Sequence, residues 1–333
     1  MKKILFPIAL SALFLFAGCN GGNKSARKQQ ALVEFPQVQM PSYINDNAQA
    51  ISYMARNYWD KFFAMEAGEG LSGAVHGVDS VSFEKAFGMY AQILSMAKPK
   101  DMAVSVKELF NNLDSLAMKG ERKPLLTVMS KAEHYFYDPN SPVLDEEIYL
   151  CALNGILAAK SLSELDKMQY EYQHRICSLN RVGTPAADFS FRELNGRRVS
   201  DGEPMAFGRY IEKNLYDIKG EYTLIFFNNP DCSACGQILD AITHSPLTGL
   251  VANGTVKVLA MYIDEDLTAW RSNSGKYPLE WIYAHDHNYI LRDNNIYGLR
   301  AIPSLYLLDK EKRVILKDAP VEKVISYLLG QTI

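Results

Sequence analysis

Apolar positions in the first half of the chain recur at helical spacing. Between residues 46 and 67 they are Ile51, Met54, Ala55, Tyr58, Trp59, Phe62 and Phe63, which predicts one helix. Gly68, Gly70, Gly73 and Gly77 then break the pattern into a loop. A second helix is expected over 82–97, with Ser82 as its cap and Pro99 ending it. Residues 101–119 predict a third, with Val104, Leu109, Leu113 and Leu116 facing a core, and residues 121–137 a fourth. Asp138-Pro139-Asn140-Ser141-Pro142 reads as a turn, followed by a helical hairpin over 145–160 and 163–179. No β alternation is visible in this half.

The pattern changes at Arg181-Val182-Gly183-Thr184-Pro185. Beyond it, apolar runs without polar alternation cover 222–227, 256–263, 304–308 and 313–316, with Asp309-Lys310-Glu311-Lys312 turning between the last two. Such runs predict strands buried on both faces. Helical stretches over 232–244 and 319–329 supply the cover, so the fold class expected here is a central sheet flanked by helices. The division is thus an all-α domain over 31–180 and an α/β domain over 181–333.

Residues 1–18 stand outside both domains. A basic Met1-Lys2-Lys3, an apolar run over 4–17 broken by Pro7 and Ser11, and Gly18 before Cys19 read as a secretory signal peptide. The run is too short to span a bilayer in the ordinary way. Phe16-Ala17-Gly18-Cys19 resembles the bacterial lipobox, with Phe16 where Leu is usual. That resemblance implies cleavage before Cys19 and lipid attachment to its thiol. Residues 19–30 would then be a flexible tether holding the protein at a membrane facing the periplasm.

The 333 residues are 48% hydrophobic and carry a formal net charge of -3, which suits two soluble domains. No Lys/Arg run forms a phosphate-binding face, so nucleic acid is not an expected partner. Besides Cys19 the cysteines are Cys151, Cys177, Cys232 and Cys235, and export makes all four redox-competent. Cys151 falls ten residues before a turn near Ser161 and Cys177 sixteen after it. Their offset along the hairpin is about 9 Å, beyond the roughly 7 Å a disulfide allows between Cα atoms. Two unpaired core cysteines are favoured.

The chemistry concentrates at Cys232-Ser233-Ala234-Cys235, after an apolar strand and the turn Asn228-Asn229-Pro230-Asp231. Unpaired N–H groups at a helix start stabilise a thiolate, which marks Cys232 as the attacking sulfur. Asp231 is the expected cap, and its charge opposes that thiolate. Cys235, one turn further in, is placed to resolve a mixed disulfide. The competing reading is half of a zinc site, but no second pair stands at metal spacing, and His244 and His285 do not complete one. Neither metal nor cofactor is expected.

This strand, loop, dithiol and helix resemble the thioredoxin-like superfamily, as does Gly298-Leu299-Arg300-Ala301-Ile302-Pro303-Ser304-Leu305-Tyr306-Leu307-Leu308-Asp309. The resemblance implies a cis Pro303 beside the dithiol and a substrate held by the Ile302 backbone, Ser233 and Ala234. Gly183-Thr184-Pro185-Ala186-Ala187-Asp188-Phe189 resembles the opening segment of the extracytoplasmic ResA/TlpA-like branch, with a small hairpin over 191–199 to follow. What this implies is a thiol–disulfide oxidoreductase acting on protein or peptide thiols and disulfides. An upstream membrane electron donor of unknown identity would serve it. Three departures are evident. Asp231 replaces the Trp of thioredoxin, Ser233-Ala234 replaces its Gly-Pro, and Phe226 stands where its buried carboxylate lies. Asp264 or Glu265 could replace that carboxylate. The helical half resembles an uncharacterised domain of Bacteroidetes lipoproteins through Phe35-Pro36, Met40-Pro41 and Tyr58-Trp59-Asp60. Its aromatics read as core rather than as a partner groove. A non-catalytic binding or assembly role is the alternative to the enzyme.

Overall fold

The computed structural model describes residues 32–65, 74–200, 203–205 and 208–330. The signal, lipid-attachment and tether expectations on 1–30, Cys19 included, lie outside the described residues.

The first part is built from α1 (Asn47–Asn57), α2 (Asp60–Phe63), β1 (Ala74–Val75), β2 (Val78–Asp79), α3 (Ser80–Met96), α4 (Pro99–Met118), α5 (Lys123–Phe136), α6 (Glu146–Ala158) and α7 (Glu164–Cys177). Acidic and hydroxyl caps set several helix starts. The Asp79 carboxylate accepts from the Val81 and Ser82 amides, Asp145 from those of Glu147 and Ile148, and Ser163 and Asp166 form a reciprocal capping box.

Three expectations for this half are corrected. The helix predicted over 46–67 is two, broken at Tyr58 and Trp59, because the apolar spacing continues across a backbone turn. Asp79 rather than Ser82 caps α3, and the Ser82 hydroxyl accepts from the Phe35 amide at 2.8 Å. The half also contains β structure: β1 and β2 form a hairpin whose central His76 and Gly77 have φ of 52° and 80°. Two-residue strands are too short to show periodicity. Pro99 does stop α3 but also opens α4, since proline disfavours helix in the residue before it and is tolerated at the first helical position. Tyr58, Trp59 and Phe62 are core, packed with Phe35.

The second part contains β3 (Ser190–Asn195), β4 (Arg198–Ser200), β5 (Glu203–Met205), β6 (Arg209–Asn214), β7 (Tyr222–Asn228), α8 (Ser233–Thr243), α9 (Leu247–Ala252) and β8 (Val256–Tyr262). It continues with α10 (Leu267–Ser272), β9 (Ile282–His285), α11 (Ile290–Asp293), β10 (Ser304–Leu308), β11 (Val314–Lys317) and α12 (Val321–Leu328). The seven-stranded sheet runs β11-β10-β7-β8-β9-β3-β6, with β7, β8 and β9 parallel and the remaining pairings antiparallel. In β7, Leu224 and Phe226 enter one core with Cys235, Val258, Trp270, Tyr277 and Val324, while Ile225 and Phe227 enter the other with Phe189, Leu259, Tyr297 and Tyr306. Two buried faces account for the absence of polar alternation. The hairpin expected over 191–199 is corrected: β3 pairs along its length with β6, and β4–β5 is a separate ribbon in the connection.

Gly155 of α6 faces Phe110 of α4 so closely that a Cβ would lie 2.5 Å from the Phe110 Cβ. Gly155→Ala should therefore destabilise the protein. Overpacking costs about 1–3 kcal/mol, against about 1 kcal/mol gained from alanine's helix propensity. A urea midpoint that falls at unchanged slope is the expected result.

Candidate functional site

The site forms where β7 ends and α8 begins. Asn229 shapes the turn: its carbonyl accepts from the Cys232 amide at 3.1 Å and its side-chain oxygen from the Asp231 amide at 2.9 Å. Cys232 then occupies the cap position of α8, and its Sγ accepts the Cys235 backbone N–H at 3.3 Å. The expected cap, Asp231, lies one residue too early and is exposed. The Cys232 sulfur thus stands where a capping oxygen would, at the end of the helix where the backbone amides point outward.

Cys232 is partly accessible, whereas Cys235 is 1% exposed. Burial, with the neighbouring Cys232 sulfur, pushes the Cys235 thiol up to about 12. Ser233 and Ala234 are exposed between the two cysteines. The Ile302–Pro303 peptide bond is cis, and the Cys232 thiol is directed at the Ile302 carbonyl 3.9 Å away. The structure therefore brings Cys232, Cys235 and the Ile302–Pro303 backbone together. Cys151 and Cys177 are both free thiols in the helical part, and burial raises both.

Neither carboxylate suggested as a replacement for the one missing at Phe226 reaches the thiols by hydrogen bond. Asp264 accepts from the Asn229 side chain, and Glu265 pairs with Arg292 at the surface. Beside Cys235 lies a neutral pair that the sequence did not reveal. The Tyr277 hydroxyl donates to Asn228 Oδ1 at 2.7 Å, and both residues are buried. Asn228 Nδ2 donates to the Phe226 carbonyl at 2.8 Å. Burial first, then the charges of Cys235 and Cys232, raise the Tyr277 phenol, so it stays protonated. Its loop is held by Arg197, whose guanidinium donates to the carbonyls of Ser274, Tyr277, Pro278 and Trp281 at 2.8–3.0 Å. A polar residue closing an apolar strand was the available signal for Asn228. Tyr277 and Arg197 carried none. Among the described residues no group of three or more His, Cys, Asp or Glu is placed to hold a metal ion.

A central sheet with a dithiol at a helix start and a cis-proline segment opposite is the thioredoxin-like arrangement, and the second part of the chain has the thioredoxin-like fold, with a helical region in front. Residues 18–180 match the family described as Domain of unknown function (DUF5106). The crystal structure of a thioredoxin-like protein from Bacteroides caccae is 28% identical, with TM-score 0.77 over 90% of this chain and 99% of that one. The C-terminal domain of an uncharacterized protein from Bacteroides fragilis is 38% identical, with TM-score 0.39 over 45% of this chain and 98% of that one. The thioredoxin domain of a thiol-disulfide oxidoreductase from Bacteroides vulgatus is 17% identical, with TM-score 0.36 over 45% and 96%. No curated protein matches the chain.

The burial difference predicts a division in reactivity. Cys235→Ser protein should alkylate readily at Cys232 near pH 8. Cys232→Ser protein should react slower by on the order of 100-fold or more, because burial both shields the Cys235 thiol and keeps it largely protonated there. Alkylation rate against pH for both variants measures this, and a faster Cys235 would reverse the assignment.

Proposed function

We propose that the protein is a thiol–disulfide oxidoreductase working outside the cytoplasm, reducing or isomerising protein disulfides through Cys232 and Cys235. The observation that carries this reading is the accessible Cys232 sulfur, held by the Cys235 amide and facing the Ile302 carbonyl.

In the reductive direction the Cys232 thiolate attacks one sulfur of a substrate disulfide. A Cys232–substrate disulfide forms, and the other substrate sulfur leaves as a thiolate. Cys235 then gives up its proton and attacks Cys232 Sγ, which closes the Cys232–Cys235 disulfide and releases the second substrate thiolate. The substrate gains two electrons and two protons, and the dithiol loses both. A membrane-linked dithiol donor restores the reduced pair. Among the described residues no carboxylate is hydrogen-bonded to Cys235, so the substrate thiolate released by the first attack is the proton acceptor for the second. An extended peptide would pair with the Ile302 backbone beside Pro303, passing over Ser233 and Ala234.

Location follows from the leader. Cleavage before Cys19 and lipid attachment there would anchor the protein to a membrane facing the periplasm. Among the described residues no helix is long and apolar enough to cross one. Cys19→Ser should move the protein from the membrane to the soluble fraction and abolish lipid labelling. Retained label or attachment would remove the anchor.

The reduced protein should transfer electrons to a protein disulfide. Cys232→Ser should fall to the uncatalysed rate, and Cys235→Ser should accumulate mixed disulfides with its partners in cells. Wild-type protein with no rate above background, and no adducts from Cys235→Ser, would replace the enzyme with a binding protein.

A further inference from the structure

The segment facing Cys232 is gripped from the helical domain. Asn180, just beyond α7, donates through Nδ2 to the Ile296 carbonyl at 2.9 Å. Gly298, at φ 62°, packs so closely on α7 that a Cβ there would lie 2.8 Å from Ile176 Cγ2. Two residues before Ile302, Arg300 donates to the carbonyl of Tyr137 at the end of α5, and its guanidinium carbon lies 4.3 Å over the Tyr137 ring. The same group pairs with Glu146 of α6 at 3.0 Å and with Asp318 at 3.1 Å. Glu146 also pairs with Lys317 of β11 at 2.6 Å, and Lys317 donates to the Cys177 and Leu179 carbonyls at 3.2 and 2.5 Å.

A planar guanidinium that meets a carbonyl, a ring face and two carboxylates at once has its orientation fixed in a way one ammonium cannot match. Two peptide units separate it from Ile302, a reach of at most about 7 Å. A shift of Arg300 is therefore passed to the Ile302 backbone with little slack. We infer that Arg300 is a positioning residue for the Ile302 backbone, and that the helical domain, through Tyr137 and Glu146, governs how well an extended peptide pairs beside Cys232. This rests on the reading of Cys232 as the sulfur that forms mixed disulfides.

The test compares adducts rather than turnover. Full-length Cys235→Ser protein is loaded at Cys232 with a cysteine-containing peptide from an activated disulfide, then equilibrated with 2-mercaptoethanol. The exchange constant reports how far the peptide adduct is preferred over the small one, a quantity a purely structural role would leave unmoved. Wild-type Arg300 should prefer the peptide, and Arg300→Ala should lose roughly tenfold of that preference, the scale of one charged hydrogen bond. Arg300→Lys should recover part of it, and Glu146→Gln should move it in the same direction as Arg300→Ala by less. If Arg300→Ala fails to fold, the last two variants carry the comparison. An unchanged preference, or equal weakening of both adducts, would overturn the inference. Chemical loading needs only an accessible Cys232. A protein inert in turnover can thus still show the peptide preference, which separates failure of this inference from failure of the enzyme.

Discussion

The Cys235 amide pointing at Cys232 Sγ is the contact on which the site depends. It exists only if α8 starts at Ser233 and if the preceding turn is held, and the two bonds to Asn229 hold it. It also requires a rigid launch point. β7 supplies that, because alternate side chains lock it into the cores on both faces of the sheet. A strand so fixed cannot slip by one residue without moving every side chain to the opposite face. The position of the sulfur is thus inherited from a central, buried strand of the sheet, although Cys232 itself remains accessible.

Behind that sulfur the environment is neutral. Phe226 occupies the strand position where thioredoxin has a carboxylate, and Asn228 with Tyr277, which packs in the same core as Cys235, provides a buried neutral polar pair. A phenol held protonated can orient Asn228 but cannot take a proton from Cys235. Burial accordingly keeps the Cys235 thiol protonated. Under the proposed oxidoreductase reading, a thiol that ionises only beside a substrate thiolate would couple resolution to the presence of substrate, which suits a partner-specific enzyme better than a general reductase.

The parts legible in the sequence were those whose signal is local. β7, β8 and β10 read as strands because burial on both faces leaves continuous apolar runs, and the dithiol and Pro303 segment carry their own patterns. β6 was missed because it is an edge strand, largely exposed and charged, so neither alternation nor an apolar run marks it. β9 is four residues long and its pairing lies far away in sequence. The Tyr277–Asn228 bond joins residues 49 apart, and the Arg197–Trp281 bond residues 84 apart. No window of sequence contains both ends of either contact. The break between α1 and α2 failed for a different reason: Tyr58 and Trp59 are core on both sides of the turn, so the apolar spacing runs through it.

The junction of the two domains shows what burial of charge accomplishes here. Glu146, Arg300 and Lys317 are all largely shielded from solvent, and burial raises the Glu146 carboxyl even with both cations beside it. Removing an ion from water costs several kcal/mol, and well-packed apolar residues in the same volume are often as stable or more so. Cohesion alone therefore does not explain this cluster. An apolar contact tolerates sliding, since its energy depends on area rather than direction. A guanidinium shared among a carbonyl, two carboxylates and a ring face admits one orientation, and Arg300 stands two residues from the backbone that faces Cys232. The charges trade stability for direction two residues from the Ile302 carbonyl that the Cys232 thiol meets.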